Sequence, residues 1–229
     1  MLTQTIRAGS FGHTADRQSR AVPAPGSHPL LGPIEMIGAP MSFGRNAEIY
    51  GDGEPADYLY KVVSGAVRTS KILADGRRQI GAFYVPGDVF GLETADEHTF
   101  SGEAIVESKV LVIKRSALVG RAARDNDVAR QLWALTGREL ARVQDHVLLL
   151  IKTAQERVAG FLLEMADRGP NDEAVELPMS RQDIADYLGL TIETVSRTLT
   201  GLESAATIAL PSSRRVVLRN RAALRQMNA

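Results

Sequence analysis

Residues 180 to 202, S-R-Q-D-I-A-D-Y-L-G-L-T-I-E-T-V-S-R-T-L-T-G-L, constrain this chain more than any other stretch. Ser180 is a candidate N-cap with Asp183 three residues on, and Ile184, Ala185 and Leu188 give the first segment a helical apolar face. Gly189 can take the positive φ that ends a helix, and Thr191 can cap the next one. In that second segment Val195, Leu199 and Leu202 point one way, while Glu193, Thr194, Ser196, Arg197 and Thr200 are left on the other faces. Two short helices meeting at a glycine turn form a helix-turn-helix pattern.

The spacing has a chemical reason. Residues three and four apart share a helix face, so Glu193, Ser196 and Arg197 can reach one strip of the DNA major groove together. A carboxylate accepts from cytosine N4, a guanidinium forks onto guanine O6 and N7, and a hydroxyl suits several base edges. Ser180, Thr191, Thr194 and Thr200 flank this strip and are candidates for the DNA backbone. A solvated face is the commoner fate of a lone run of charge. Here the turn glycine, two caps and the polar triplet coincide, which favours base reading.

Charge distribution agrees. The chain has 229 residues and a formal net charge of zero, which argues against an indiscriminate nucleic-acid binder. Residues 177–229, however, carry seven Arg or Lys against four Asp or Glu, leaving 20 against 23 upstream. The basic excess follows the two helices, as phosphate contacts require. Downstream, Ile208-Ala-Leu-Pro-Ser-Ser-Arg-Arg-Val-Val-Leu reads as a hairpin, a wing, whose basic tip offers Arg214 and Arg215 to phosphates.

The length allows two modest domains. Residues 1–34, rich in Gly, Ser and Pro without a sustained period, read as a flexible arm. Residues 35–117 alternate short strand-like runs with glycine turns such as Ser64-Gly65, Ala74-Asp-Gly76 and Pro86-Gly-Asp88, which suggests a double-sheet jelly roll or small barrel. Residues 118–152 switch to helical spacing, with Leu132, Leu135, Val143, Val147 and Leu150 recurring as an apolar stripe suited to pairing with a second copy. Residues 153–229 hold a further helix, with Val158, Phe161, Leu162 and Met165 inward, followed by the winged helix-turn-helix. The fold class expected is therefore α+β. The longest apolar run, Val147 to Ile151, is far short of the ~20 residues of a membrane span, and no signal-peptide core opens the sequence. A cytoplasmic protein without membrane partners is expected.

This order of parts resembles the Crp/Fnr superfamily of bacterial transcription regulators over roughly residues 35–229. The likeness is most specific at Glu193-Thr-Val-Ser-Arg197, which matches the E-x-x-S-R pattern of the Fnr-like and FixK-like branches. The resemblance implies a cyclic-nucleotide-binding-like β-roll, a long dimerisation helix, and a homodimer on a double-stranded operator that recruits RNA polymerase. It also implies that Glu193, Ser196 and Arg197 read TTGAT-type half-sites of an inverted repeat.

Two departures narrow the branch. Fnr sensors need cysteines for an iron–sulfur cluster, and this chain has none. Cyclic-nucleotide members place an Arg after the glycine motif, whereas residues 92–102, L-E-T-A-D-E-H-T-F-S-G, contain no Arg or Lys and three carboxylates that repel an anion. The match is therefore to the FixK-like branch, with which low-oxygen respiration and nitrogen fixation are associated and for which no cofactor is expected. Two rival readings remain. One is a small effector held in the β-roll near Gly81, Gly87 and Gly91. The other is an enzyme with a metal at Asp96, Glu97 and His98, whose adjacent residues lack the spacing of a closed metal site and read instead as a solvated loop.

Overall fold

A computed structural model describes residues 38–169 and 173–228; the expected arm at residues 1–34 lies outside the described residues. The first region is built of eight strands: β1 (Ala39–Phe43), β2 (Glu48–Tyr50), β3 (Tyr58–Ser64), β4 (Val67–Ile72), β5 (Arg78–Tyr84), β6 (Val89–Phe90), β7 (Ser101–Ala104) and β8 (Ser108–Lys114). They form two antiparallel four-stranded sheets ordered β1-β8-β3-β6 and β2-β7-β4-β5. This is the expected jelly roll. Gly65 makes the β3–β4 turn at φ 86°, and a Cβ there would lie 2.5 Å from the Glu107 carbonyl oxygen. Alternate side chains fill the space between the sheets: Val62, Val67 and Val110 pack with stacked Tyr50, Tyr60 and Phe90, with ring centroids 5.0 Å apart for Tyr50–Tyr60 and for Tyr60–Phe90.

A short helix α1 (Arg115–Ala122) precedes the long helix α2 (Asn126–Leu150), which begins where Asp125 accepts hydrogen bonds from the Asp127 and Val128 amides. The helix expected over 118–152 is thus two helices with a capped break. At 25 residues α2 spans ~37 Å.

The stripe expected along α2 divides between two faces. Leu135, 8% exposed, joins Leu59, Val89, Ile113, Leu118 and Val128 in a core under the β-roll, with Leu132 packed against it. Val143 and Val147 remain 50% and 57% exposed, with Leu140 at 58% and Trp133 at 81%. Twelve residues at ~100° each set Val147 about 120° around the helix from Leu135. Trp133, Thr136, Leu140, Val143, Val147 and the half-buried Leu150 alternate steps of three and four, a heptad seam.

The C-terminal region comprises α3 (Ala154–Arg168), β9 (Ala174–Glu176), α4 (Arg181–Leu188), α5 (Ile192–Ser204), the hairpin β10 (Ile208–Ser212) and β11 (Arg215–Leu218), and α6 (Arg221–Met227). Helix α3 starts at a reciprocal capping box between Thr153 and Glu156 and buries the expected Val158, Phe161, Leu162 and Met165. Their core, shared with Ile184, Leu188, Val195, Leu199, Leu202 and Val216, is continuous with Ile80 and Phe83 of β5. The Phe83 ring lies 6.1 Å from Phe161 and 5.1 Å from Tyr187. The helix-turn-helix region therefore rests on the β-roll as well as hanging from the long helix.

Candidate nucleic-acid interface

Helix α4 is set by its cap. The Ser180 hydroxyl accepts from the Asp183 amide at 3.1 Å, and Asp183 Oδ2 accepts from the Ser180 amide at 2.9 Å and its hydroxyl at 2.8 Å. Burial pushes the Asp183 carboxyl up, but hydrogen bonds from Ser180 and the charges of Arg68 and Arg78 hold it below the usual carboxylate range. The Ser180 hydroxyl, expected at the DNA backbone, is thus committed to the cap although the residue is exposed.

The turn follows at Gly189, whose φ of 61° and ψ of 39° are left-handed, with the Leu190 amide returning to the Ala185 carbonyl at 2.9 Å. Arg157 of α3 braces it. Its Nη1 donates to the Leu188 carbonyl at 2.9 Å and its Nε to the Lys152 carbonyl at 2.8 Å, so one guanidinium ties the end of α4 to the end of the long helix. Sequence reasoning gave Arg157 no role, since nothing local marks which carbonyls a side chain on another helix will meet.

Thr191 caps α5: its hydroxyl accepts from the Thr194 amide at 3.2 Å and lies 3.1 Å from the Thr194 hydroxyl. Val195, Leu199 and Leu202 are buried against α3 and α4, which forces the opposite strip outward. Glu193, Ser196 and Arg197 all stand exposed on it, within one turn of each other, as the spacing predicted. Thr200 is exposed too, but its hydroxyl turns back to the Ser196 carbonyl at 3.1 Å. Ile192 opens the helix with an exposed apolar side chain beside the polar strip.

The wing pairs Ile208 with Leu218 and Ser212 with Arg215, and the Ser212 hydroxyl accepts from the Arg214 and Arg215 amides at 3.3 and 3.1 Å. Both arginines are exposed. Arg215 lies 3.5 Å from Glu176 of β9, a third strand that pairs antiparallel to β11 and was not anticipated; Arg214 forms no ion pair among the described residues. An exposed pair of this kind is worth ~0–1 kcal/mol, so a phosphate can replace it, but Arg214 is the freer of the two. The wing is anchored to the recognition helix where the Leu210 amide donates to Glu203 at 2.9 Å. Helix α6, also unanticipated, closes the region behind α3.

Asp96, Glu97 and His98, weighed as a metal site and expected to form a solvated loop, divide between surface and core. His98 is 2% exposed and stacks on Tyr50 at 3.7 Å between centroids, so it is a core residue and not part of a solvated loop. Asp96 and Glu97 are exposed, and no three metal-ligating side chains come together among the described residues. No described helix is long and apolar enough to cross a membrane.

Comparison with known proteins agrees with this geometry. Residues 156–227 match the Crp-like helix-turn-helix domain family, and residues 40–125 match the cyclic nucleotide-binding domain family. The chain is 55% identical over 202 residues to the nitrogen fixation regulation protein FixK of Azorhizobium caulinodans, covering 86% of this chain and 82% of that one. FixK of Rhizobium meliloti is 41% identical over 200 residues, covering 86% and 92%. The solved structure of FixK2 from Bradyrhizobium japonicum superposes with a TM-score of 0.81 at 52% identity, covering 84% of this chain and 98% of that one. With a β-roll, a long helix and a winged helix-turn-helix in the same order as these relatives, the chain belongs to the Crp/Fnr family of DNA-binding transcription regulators, in its FixK-like branch.

Proposed function

We propose that the chain acts as a homodimeric transcription activator that binds an inverted repeat of the form TTGAT-N4-ATCAA and recruits RNA polymerase. The observation that carries this is the outward strip of α5: Glu193, Ser196 and Arg197 exposed together above a buried Val195-Leu199-Leu202 face. Arg197 is assigned to guanine and Glu193 to cytosine, with Ser196 between them; Thr191, Thr194 and Arg214, and more weakly Arg215, hold phosphates. Ser180 and Thr200 contribute less, because their hydroxyls are spent on the helix itself.

Dimerisation is assigned to the seam of Trp133, Leu140, Val143 and Val147, continued by Leu150. A contiguous apolar strip this exposed on one chain is what a second copy covers. Leu132 and Leu135, expected in that stripe, pack under the β-roll.

The reading includes DNA binding without a cyclic nucleotide or an iron–sulfur cluster, since residues 92–102 offer an anion three carboxylates and no cation and the sequence has no cysteine. By likeness to the FixK relatives the regulated genes serve nitrogen fixation, the resemblance to the FixK-like branch adds low-oxygen respiration, and the regulator itself works in the cytoplasm. A ligand-gated variant of this function is favoured by one observation. The Tyr50 hydroxyl, one Glu93 oxygen and both His98 ring nitrogens are buried near one another without hydrogen-bond partners among the described residues, and Glu93 Oε1 approaches His98 Nδ1 only to 3.4 Å. A small polar effector in the β-roll would satisfy them.

Selection of preferred sequences from random DNA by the purified, ligand-free protein tests the main reading. Enrichment of the two-fold TTGAT repeat is expected. Enrichment only after adding cAMP or another small effector would overturn the ligand-independent form, and enrichment of unrelated or single half-sites would overturn the operator assignment.

A further inference from the structure

The cap of α4 has a second set of partners. Asp183 uses Oδ2 for the Ser180 box, and its other oxygen, Oδ1, accepts from Arg68 Nη1 at 2.9 Å and from Arg78 Nη2 at 2.7 Å. Both arginines belong to the β-roll, on β4 and β5, more than a hundred residues earlier in the chain. Arg78 reaches one turn further along α4, with Nε 2.8 Å and Nη2 2.7 Å from Asp186 Oδ2, and Arg68 is held by Glu103 of β7 at 2.8 Å. Asp183 is 4% exposed and Arg68 is buried with it, so their contact lies out of water, where geometry matters most, while Arg78 reaches the same carboxylate from a part-exposed edge.

Neither region needs this arrangement for itself. A cap works through one side-chain oxygen, as the neighbouring Thr191 shows, and a buried ion pair generally adds little stability over apolar groups of the same shape. What two planar forks from adjacent strands supply is orientation. The helix-turn-helix region has one covalent link to the long helix, at Lys152-Thr153, and at that joint Arg157 and the His146 contact with Tyr187 form a first point of attachment. The arginine contacts to Asp183 and Asp186, beside the Phe83 contact with Phe161 and Tyr187 and the bonds of Arg168 to the Phe83 carbonyl and Asp88, fix a second point on the β-roll, and of these polar contacts they alone grip α4. Glu193, Ser196 and Arg197 stay exposed in this docked arrangement, so the contact holds the reading head without covering it.

The geometry points to Arg68 and Arg78 as positioning residues for DNA binding: through Asp183 and Asp186 they set the orientation of the recognition helix relative to the β-roll, and hence the half-site spacing that the dimer accepts. This rests on the dimeric inverted-repeat reading, because two recognition helices must arrive about one helical turn of DNA, ~34 Å, apart.

The test has two arms. Because the sequence lacks cysteine, cysteines introduced at the exposed Asp75, in the β4–β5 turn, and Ser213, at the wing tip, can carry spin labels. Labelled chains diluted into unlabelled ones then report the distance between β-roll and wing without any DNA. A narrow distance distribution is expected for the parent, and a broadened one for Arg68→Gln/Arg78→Gln.

In the second arm, operators with spacers of three to six base pairs are titrated. The double variant should bind the four-base-pair operator about tenfold or more weakly and lose most of its preference among spacers, while keeping the parent's preference for guanine at the Arg197 position. Arg78→Glu should lose spacing preference in the same way, and adding Asp186→Arg should recover much of it. If the double variant does not fold, by urea midpoint, Arg78→Gln alone is read identically, since that side chain is already 26% exposed.

An unchanged distance distribution, or a broadened one with spacing preference intact, overturns the proposal. A parent protein with no spacing preference overturns the inverted-repeat reading instead, and the distance arm still decides whether the arginines orient the domain.

Discussion

The division of α2 into two apolar faces makes opposite predictions for residues five apart. Leu140 is 58% exposed on the single chain, so roughly half of its burial is still available on association. A fully buried leucine side chain is worth ~1.5–3 kcal/mol, which leaves about 1 kcal/mol for each copy and about 2 kcal/mol for a two-fold interface that uses the residue twice. Leu140→Ala should therefore raise the dimer Kd about 30-fold, at 1.4 kcal/mol for each factor of ten. Val147→Asp should do more. It forfeits a similar burial and brings two carboxylates to the seam from opposite chains, for a penalty on the order of 3–5 kcal/mol.

Neither change should alter the unfolding of the monomer by more than ~0.5 kcal/mol, since both side chains stand mostly in water there. Leu135→Ala should behave in the reverse sense. At 8% exposure among Leu59, Val89, Ile113 and Leu118 it should cost ~2–5 kcal/mol of folding stability, and any loss of dimer should follow from that. Sedimentation velocity over a concentration series measures the association, and urea unfolding at concentrations where the variants are monomeric measures the stability. A wild-type dimer Kd for both Leu140→Ala and Val147→Asp refutes the seam, and a stability loss for Leu140→Ala as large as that for Leu135→Ala refutes the two-face division of the helix.

Arg197→Ala should lose ~1–3 kcal/mol of discrimination at the guanine with little change in non-specific binding, read from titrations on cognate and guanine-substituted operators; retained discrimination would remove Arg197 from base reading. Arg214→Ala should weaken all sequences alike and lower the slope of log K against log salt by ~0.9 for each phosphate that a subunit no longer neutralises, with a smaller change for Arg215→Ala because Glu176 already competes for it. Gly189→Ala places a Cβ at φ 61°, for a strain of ~1–2 kcal/mol visible as a lower urea midpoint; an unchanged midpoint would mean that the turn adapts. His146, stacked on Tyr187 at 4.0 Å, has its pKa lowered chiefly by burial, against the Tyr187 carbonyl that its Nε2 meets at 2.9 Å and the nearby Glu164, and with Arg142 also lowering it. The folded chain then binds fewer protons than the unfolded one below pH ~6.5, so stability should be full above that pH and fall as acid is added. His146→Asn should flatten urea midpoints between pH 7.5 and 5.5, and an unchanged slope would exclude this histidine as the cause.

The sequence was legible wherever the determinant was local. The cap at Ser180, the stop at Gly189 and the polar strip of α5 each depend on residues within four positions, and all three appear where the spacing placed them. The wing was equally local. The stripe on α2 was not, because apolar residues on two faces of one helix satisfy the same three-and-four periodicity, and only the β-roll decides that Leu135 is inside while Leu140 is outside. His98 sits between acidic and polar neighbours that read as solvated, yet stacking on Tyr50 takes it into the core. Strand β9 is three residues long and exists through its pairing with β11.

Asp183 shows the limit most sharply. Its role as a cap follows from Ser180 three residues earlier, and that role accounts for an aspartate at the position. Nothing within the helix reveals that its second oxygen is taken by two arginines more than a hundred residues away. Local chemistry can fully explain a residue and still omit the contact through which it orients the domain. For this chain the surface proposed to read DNA was visible in the sequence because it is one helix face. The ion-pair cluster proposed to aim it was hidden because it is assembled from three strands and a helix end that meet only in the folded molecule.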